Sequence, residues 1–115
     1  MATTAIADTV RDAVQSILDA WIAGVEQENL SLLAQIVAPD EDAVFIGSGA
    51  AERIRGWTAL QAALEAQAVA VKDIRITADE PEVHRLAGGQ AAWATSNWTF
   101  AGRLGDQMIS APLRC

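Results

Sequence analysis

The apolar residues of this 115-residue chain change their spacing once, at Lys72, and that switch constrains the fold more than any other feature. Before it, apolar positions recur every three or four residues. Val10, Val14, Ile17, Leu18, Trp21, Ile22 and Val25 fall on one side of a helix, with Asp8, Asp12 and Asp19 on the other, the pattern of a helix packed on a core. Asn29 offers a side-chain acceptor to the free N–H groups of a second helix, "LSLLAQIVA", which Pro39 and an acidic loop end. A short apolar strand, "AVFIGSG", comes next. Thr58 and Gln61 fit a reciprocal capping box, and Leu60, Leu64, Gln67 and Val71 mark one face of the third helix that it opens.

After Lys72 the period is two. Ile74 and Ile76 alternate with Asp73, Arg75 and Thr77, "DEP" bends or breaks the strand, and "EVHRLA" resumes it. "GGQ" makes a turn, and "AAWATSNWTFA" and "MISAPLRC" follow as two strands around "GRLGDQ". Helices first and antiparallel strands afterwards predict an α+β fold, with three N-terminal helices packed on one face of a curved antiparallel sheet. The length suits one core, so residues 1–115 are read as a single domain.

Charge narrows the partners. The net charge is −7, and the stretch from Met1 to Glu52 holds nine acidic residues and one basic, against six and seven in the remainder. A nucleic acid needs a Lys/Arg footprint to displace its counterions, and an anionic membrane surface attracts basic segments. Neither partner is expected. "MATTAIADTVRD" has no basic segment leading into an apolar one, and no apolar run is long enough to cross a bilayer, so a cytoplasmic location is expected. One His and one Cys cannot build a structural zinc site or an intrachain disulfide. "DED" at 40–42 lacks the spaced ligands of a calcium loop. "GSGAAE" puts Glu52 where a dinucleotide fingerprint has its third glycine, and is read as a turn. No metal or cofactor is expected, and Cys115 is read as a small buried side chain.

Three stretches, "ILDAWIAGVEQENLSLLAQIVAPDEDAVFIGSG", "RIRGWTALQAAL" and "GGQAAWATSNWTF", together resemble the SnoaL-like branch of the nuclear transport factor 2-like superfamily. The resemblance covers nearly the whole chain. It rests on a Trp late in the first helix, an acidic loop before "VFIG", Gly-Trp at the third helix and Ala-Trp after a glycine turn. It implies a cone in which helices close one end of a bent sheet around an apolar pocket. Such pockets serve cofactor-free isomerases, cyclases and dehydratases, and also non-catalytic binding or association modules.

Four Trp with no Tyr and two Phe make the aromatic surface almost wholly indole. Trp21, Phe45, Trp57, Trp93, Asn97 and Trp98 are the expected contacts of a small apolar ligand, with core filling the alternative for any one Trp. Trp93 and Trp98 lie an odd number of positions apart and face opposite sides of a regular strand. Asn97 would orient a carbonyl or hydroxyl, unless it serves the backbone at a bulge. His84 alone has an unperturbed pKa near neutrality and is the catalytic candidate for proton transfer, a structural or surface role being the alternative. Ketosteroid isomerase, in the same superfamily, pairs a pocket carboxylate with a tyrosine or a protonated acid; here there is no tyrosine, and Asp40, Asp42, Glu52 and Asp106 fall in loops. The resemblance also implies a further strand after "ISAPLRC". Without it the sheet has an open edge, which leads to the expectation of a homodimer packed near Ile109 to Cys115 with Trp93 or Trp98 at the contact.

Overall fold

Helix α1 (Ala2–Glu26) meets the short α2 (Leu30–Ile36) through a glycine. A Cβ on Gly24 would stand 2.6 Å from Leu33 Cδ2, so the absence of a side chain there lets Leu33 seat against α1. Leu33 is the most deeply buried large side chain among the described residues, at 1% exposure. Asn29 caps α2 as its sequence position predicts: its Oδ1 accepts from the Leu32 N–H at 3.1 Å. The computed structural model describes residues 2–46 and 53–114, with side chains from Thr9 onward. The glycine turn at 47–49, Glu52 and Cys115 lie outside the described residues.

After α2 come β1 (Val44–Ile46) and β2 (Arg53–Arg55), an antiparallel pair, then α3 (Trp57–Ala70). The predicted capping box does not form. Gly56, at φ 84°, is the N-cap and contributes no side chain, while Thr58 Oγ1 donates to Glu41 Oε1 at 3.1 Å. The tight entry is the physical reason: the Gly56 N–H donates to the Ala43 carbonyl at 2.7 Å, and a Cβ there would lie 2.6 Å from Glu41 Oε2.

The remaining strands are β3 (Val71–Ala78), β4 (Glu82–Arg85), β5 (Ala92–Thr95), β6 (Asn97–Leu104) and β7 (Gln107–Arg114). They pair in the orders β3-β6-β7 and β4-β5, all antiparallel. The single strand read over Ala91 to Ala101 is therefore two, divided at Ser96. Ala78 pairs with Trp98 and Glu82 with Thr95, so three residues on one side face two on the other. That mismatch bends the ladder. The break is bridged: Asn97 N–H donates to Asp79 Oδ1 at 2.9 Å, and Asp79 N–H to the Asn97 carbonyl at 3.0 Å. A second irregularity lies between Lys72 and Arg75, where Asp73 adopts φ 55° opposite Gly102. A Cβ on Gly102 would meet Val71 Cγ1 at 2.5 Å.

The buried cluster comprises Val25, Leu33, Val71, Ile74, Ile76 and Trp98, with Leu18, Trp21, Trp57, Leu64, Phe100 and Leu113 packed around it. Helices thus cover one face of a bent antiparallel sheet, the α+β arrangement that the change of period predicts. Glu26, the last residue of α1, reaches β3: its Oε2 accepts from the Ile76 N–H at 2.8 Å. Among the described residues no helix is long and apolar enough to cross a membrane.

Leu33→Ala removes the side chain on which α1 and α2 converge and leaves a cavity that the helices cannot close. A loss of about 2–5 kcal/mol is expected. Urea unfolding checks this as a lowered midpoint at unchanged slope.

Candidate functional site

Alternation along the strands gathers apolar side chains on the concave face. Ile76 pairs with Phe100, Trp98 follows the same parity two residues earlier on β6, and Leu113 of β7 is the register partner of Trp98. These four face Trp21 and Val25 of α1 and Leu60, Leu64 and Gln67 of α3 across a cavity of about 630 Å³. The volume lies within the usual range for small-ligand sites. Ile46 and Ile54 add the β1–β2 pair to the lining.

Polar groups on the lining are few. Gln67 contributes its amide, which makes no side-chain hydrogen bond with the described residues, whereas Arg114 alternates with Leu113 and carries its side chain on the opposite face of β7. Trp98 is 7% exposed, and its buried Nε1 has no hydrogen-bond partner there either. No Asp, Glu or His among the described residues lines the cavity. Val25, Leu64 and Gln67 also line a smaller crevice of about 270 Å³ on the helical side, together with Leu33 and Ile74.

The six residues expected to contact a ligand fall in different places. Trp21 and Trp98 come together on the cavity wall. Trp57, which opens α3, is partly buried against the core cluster, and Phe45, partly buried on β1, pairs with Ile54. Asn97 sits at the bend, where its Nδ2 donates to Asp79 Oδ2 at 3.0 Å. Trp93 is 54% exposed on β5 and stacks on its cross-strand partner His84, with ring centroids 5.6 Å apart and planes inclined by 20°. His84 Nε2 lies 3.1 Å from Glu82 Oε1, so the imidazole belongs to an exposed cluster on the β4–β5 pair. Trp93 is exposed and Trp98 buried, but they stand on separate strands, β5 and β6, of different sheets, so the parity argument for one regular strand does not apply to them.

Phe100 and Leu113 line the cavity without having been singled out in the sequence, and Gln67 was marked there only as part of one face of α3. Phe100 could have been found by stepping two residues from Trp98. Leu113 needed the β6–β7 register, which local spacing does not encode. Among the described residues no three Asp, Glu, His or Cys side chains converge as a ligand set for a metal ion.

The Asp79 carboxylate is held in its charged form by its neighbours. The backbone N–H of Asn97 and then its side-chain amide hold the Asp79 carboxyl below its ordinary value of 3.8. Both donors favour the charged form.

A family model described as a SnoaL-like domain matches residues 14–114. Neither a curated protein nor a solved structure matches the chain.

Because the folded Asp79 carboxyl is more acidic than the unfolded one, its bonds contribute stability above the unfolded pKa, and that contribution is lost as pH falls through the folded value. Asp79→Asn is expected to be less stable than the parent at neutral pH, with the difference narrowing as pH falls below the ordinary carboxylate value. Urea midpoints of both proteins across this range check it; a difference independent of pH would contradict the assignment.

Proposed function

The chain belongs to the SnoaL-like domain family, and we propose that it binds a small, largely apolar molecule in the cavity between α1, α3 and the β3-β6-β7 sheet. The observation that carries this reading is the wall itself: Trp21, Trp98, Phe100 and Leu113 line a space of about 630 Å³. Burying a ligand's apolar surface against such a wall is favourable by roughly 25 cal/mol for each Å² removed from water. Indole rings add contact area with few rotatable bonds to immobilise.

The reading stops at binding. A cofactor-free isomerase, cyclase or dehydratase needs a group in reach that takes or gives a proton. The described lining offers neither carboxylate nor imidazole, and His84 is engaged with Glu82 and Trp93 on the β4–β5 pair.

Association is the second reading, and β7 favours it. This strand ends the β3-β6-β7 order, and Met108 on it is 73% exposed. An unpaired strand edge beside exposed apolar side chains suits pairing with a second copy. Light scattering at low micromolar concentration is expected to report a dimer that Met108→Lys weakens. A parent protein that stays monomeric under those conditions would exclude this second reading.

For the cavity, the test is a neutral apolar probe. N-phenylnaphthylamine is expected to bind the parent protein with enhanced emission and quenching of indole fluorescence. Ala63→Phe, on an exposed position of α3 that borders the cavity, is expected to weaken binding by about tenfold or more with an unchanged far-ultraviolet circular dichroism spectrum. A probe that binds both proteins equally, or neither, would refute the proposal.

A further inference from the structure

The face of α3 that meets the cavity carries one residue out of pattern. Leu60, Leu64, Gln67 and Val71 follow one another at spacings of four, three and four, which puts them on one side of the helix. Leu60 and Val71 are buried, and Leu64 packs against the core cluster. Gln67 stands in this apolar stripe as its one polar member, half-buried on the cavity wall. Its amide makes no hydrogen bond with the described residues, and neither of its polar atoms is sealed in protein. A polar group drawn out of bulk water needs a partner, and the described protein supplies none. No other described side chain offers a polar atom to this space: Arg114 carries its guanidinium on the opposite face of β7, and Trp98 Nε1 is enclosed.

We infer that the ligand of this cavity is a neutral, largely hydrocarbon molecule with one carbonyl or hydroxyl oxygen, which the Gln67 amide binds. This rests on the reading that the cavity binds a small molecule, and adds its charge and its polar group. Neutrality follows from the lining. An anion or a cation entering here would leave water without meeting a described counter-charge, and a buried unpaired charge is strongly unfavourable. The single oxygen follows from the single amide. Its N–H groups donate to a carbonyl or hydroxyl oxygen, and its own carbonyl accepts from a hydroxyl. A ligand with further polar groups would press them against Trp21, Phe100 and Leu113, whereas a pure hydrocarbon would cover the amide and leave it unpaired, at the full cost of its desolvation. Gln67 therefore selects among apolar guests of similar shape.

The test uses three probes of one shape in calorimetric titrations of the full chain: acetylnaphthalene, isopropenylnaphthalene, which replaces the carbonyl oxygen by a methylene, and naphthoate, which adds a charge. The parent protein is expected to bind acetylnaphthalene about fivefold more tightly than isopropenylnaphthalene, although the hydrocarbon gains more by leaving water, and to bind naphthoate more weakly than acetylnaphthalene. Gln67→Leu completes the apolar stripe of α3 and is expected to keep or raise the urea midpoint while abolishing the preference for the carbonyl. Gln67→Met, unbranched like glutamine, is expected to do the same. Gln61→Leu, a control at an amide that bonds Glu65, should retain the preference. Equal binding of acetylnaphthalene and isopropenylnaphthalene by the parent, a preference that survives both Gln67 variants, or naphthoate binding as tightly as acetylnaphthalene would overturn the inference while leaving the cavity as a binding site. Failure of all three probes and of N-phenylnaphthylamine to bind would remove the binding reading itself, and this inference with it.

Discussion

A single hydrogen bond across 50 residues fixes where the helical and sheet halves of this protein meet: the Glu26 carboxylate on the Ile76 amide. Ile76 belongs to β3, an outer strand of its sheet, and an edge amide turned from the ladder needs a partner other than a strand. The end of α1 supplies it. Within one turn and a half of that helix, four neighbouring positions serve four ends. Trp21 faces the cavity, Gly24 admits Leu33, Val25 enters the core, and Glu26 closes the strand edge. The register of these roles along the helix leaves little freedom in how α1 lies on the sheet, and so fixes one wall of the site.

The opposite wall owes its curvature to two local irregularities. At the Asp79–Asn97 bridge the long hairpin changes direction, and at the bulge before Arg75 the missing side chain of Gly102 lets β6 approach Val71. Bulges and glycines at defined positions are how antiparallel sheets curl instead of lying flat. Both fall on the β3–β6 pair, whose inward side chains are Ile76, Trp98 and Phe100. The residues that form the concave surface and the residues that make it concave are thus interleaved on the same two strands.

Much of this was written in local spacing. The 3.6-residue period of α1, the Asn29 cap and the alternation after Lys72 depend on neighbours a few positions apart, and each appears in the structure as it reads in the chain. Whatever depends on distant partners was illegible. Thr58 satisfies the rule for a capping box, but Glu41, seventeen residues away, takes its hydroxyl. Ser96 looks like one more strand residue, and only the pairing of Glu82 with Thr95 and of Ala78 with Trp98 reveals a break there. The same limit governs the site. Among the tryptophans, the break at Ser96 puts Trp93 and Trp98 on different strands, and whether an indole meets a cavity or another ring depends on partners such as His84.

The two spaces beside α3 share a partition. Val25, Leu64 and Gln67 border both the larger cavity and the crevice behind it, so a single layer of side chains divides them. Leucine and glutamine change rotamer without help from the backbone. The interior is therefore a room with a movable screen: swinging Leu64 or Gln67 would transfer volume from one compartment to the other while every helix and strand stays in place, so the division of space is set by side-chain torsions more than by the architecture.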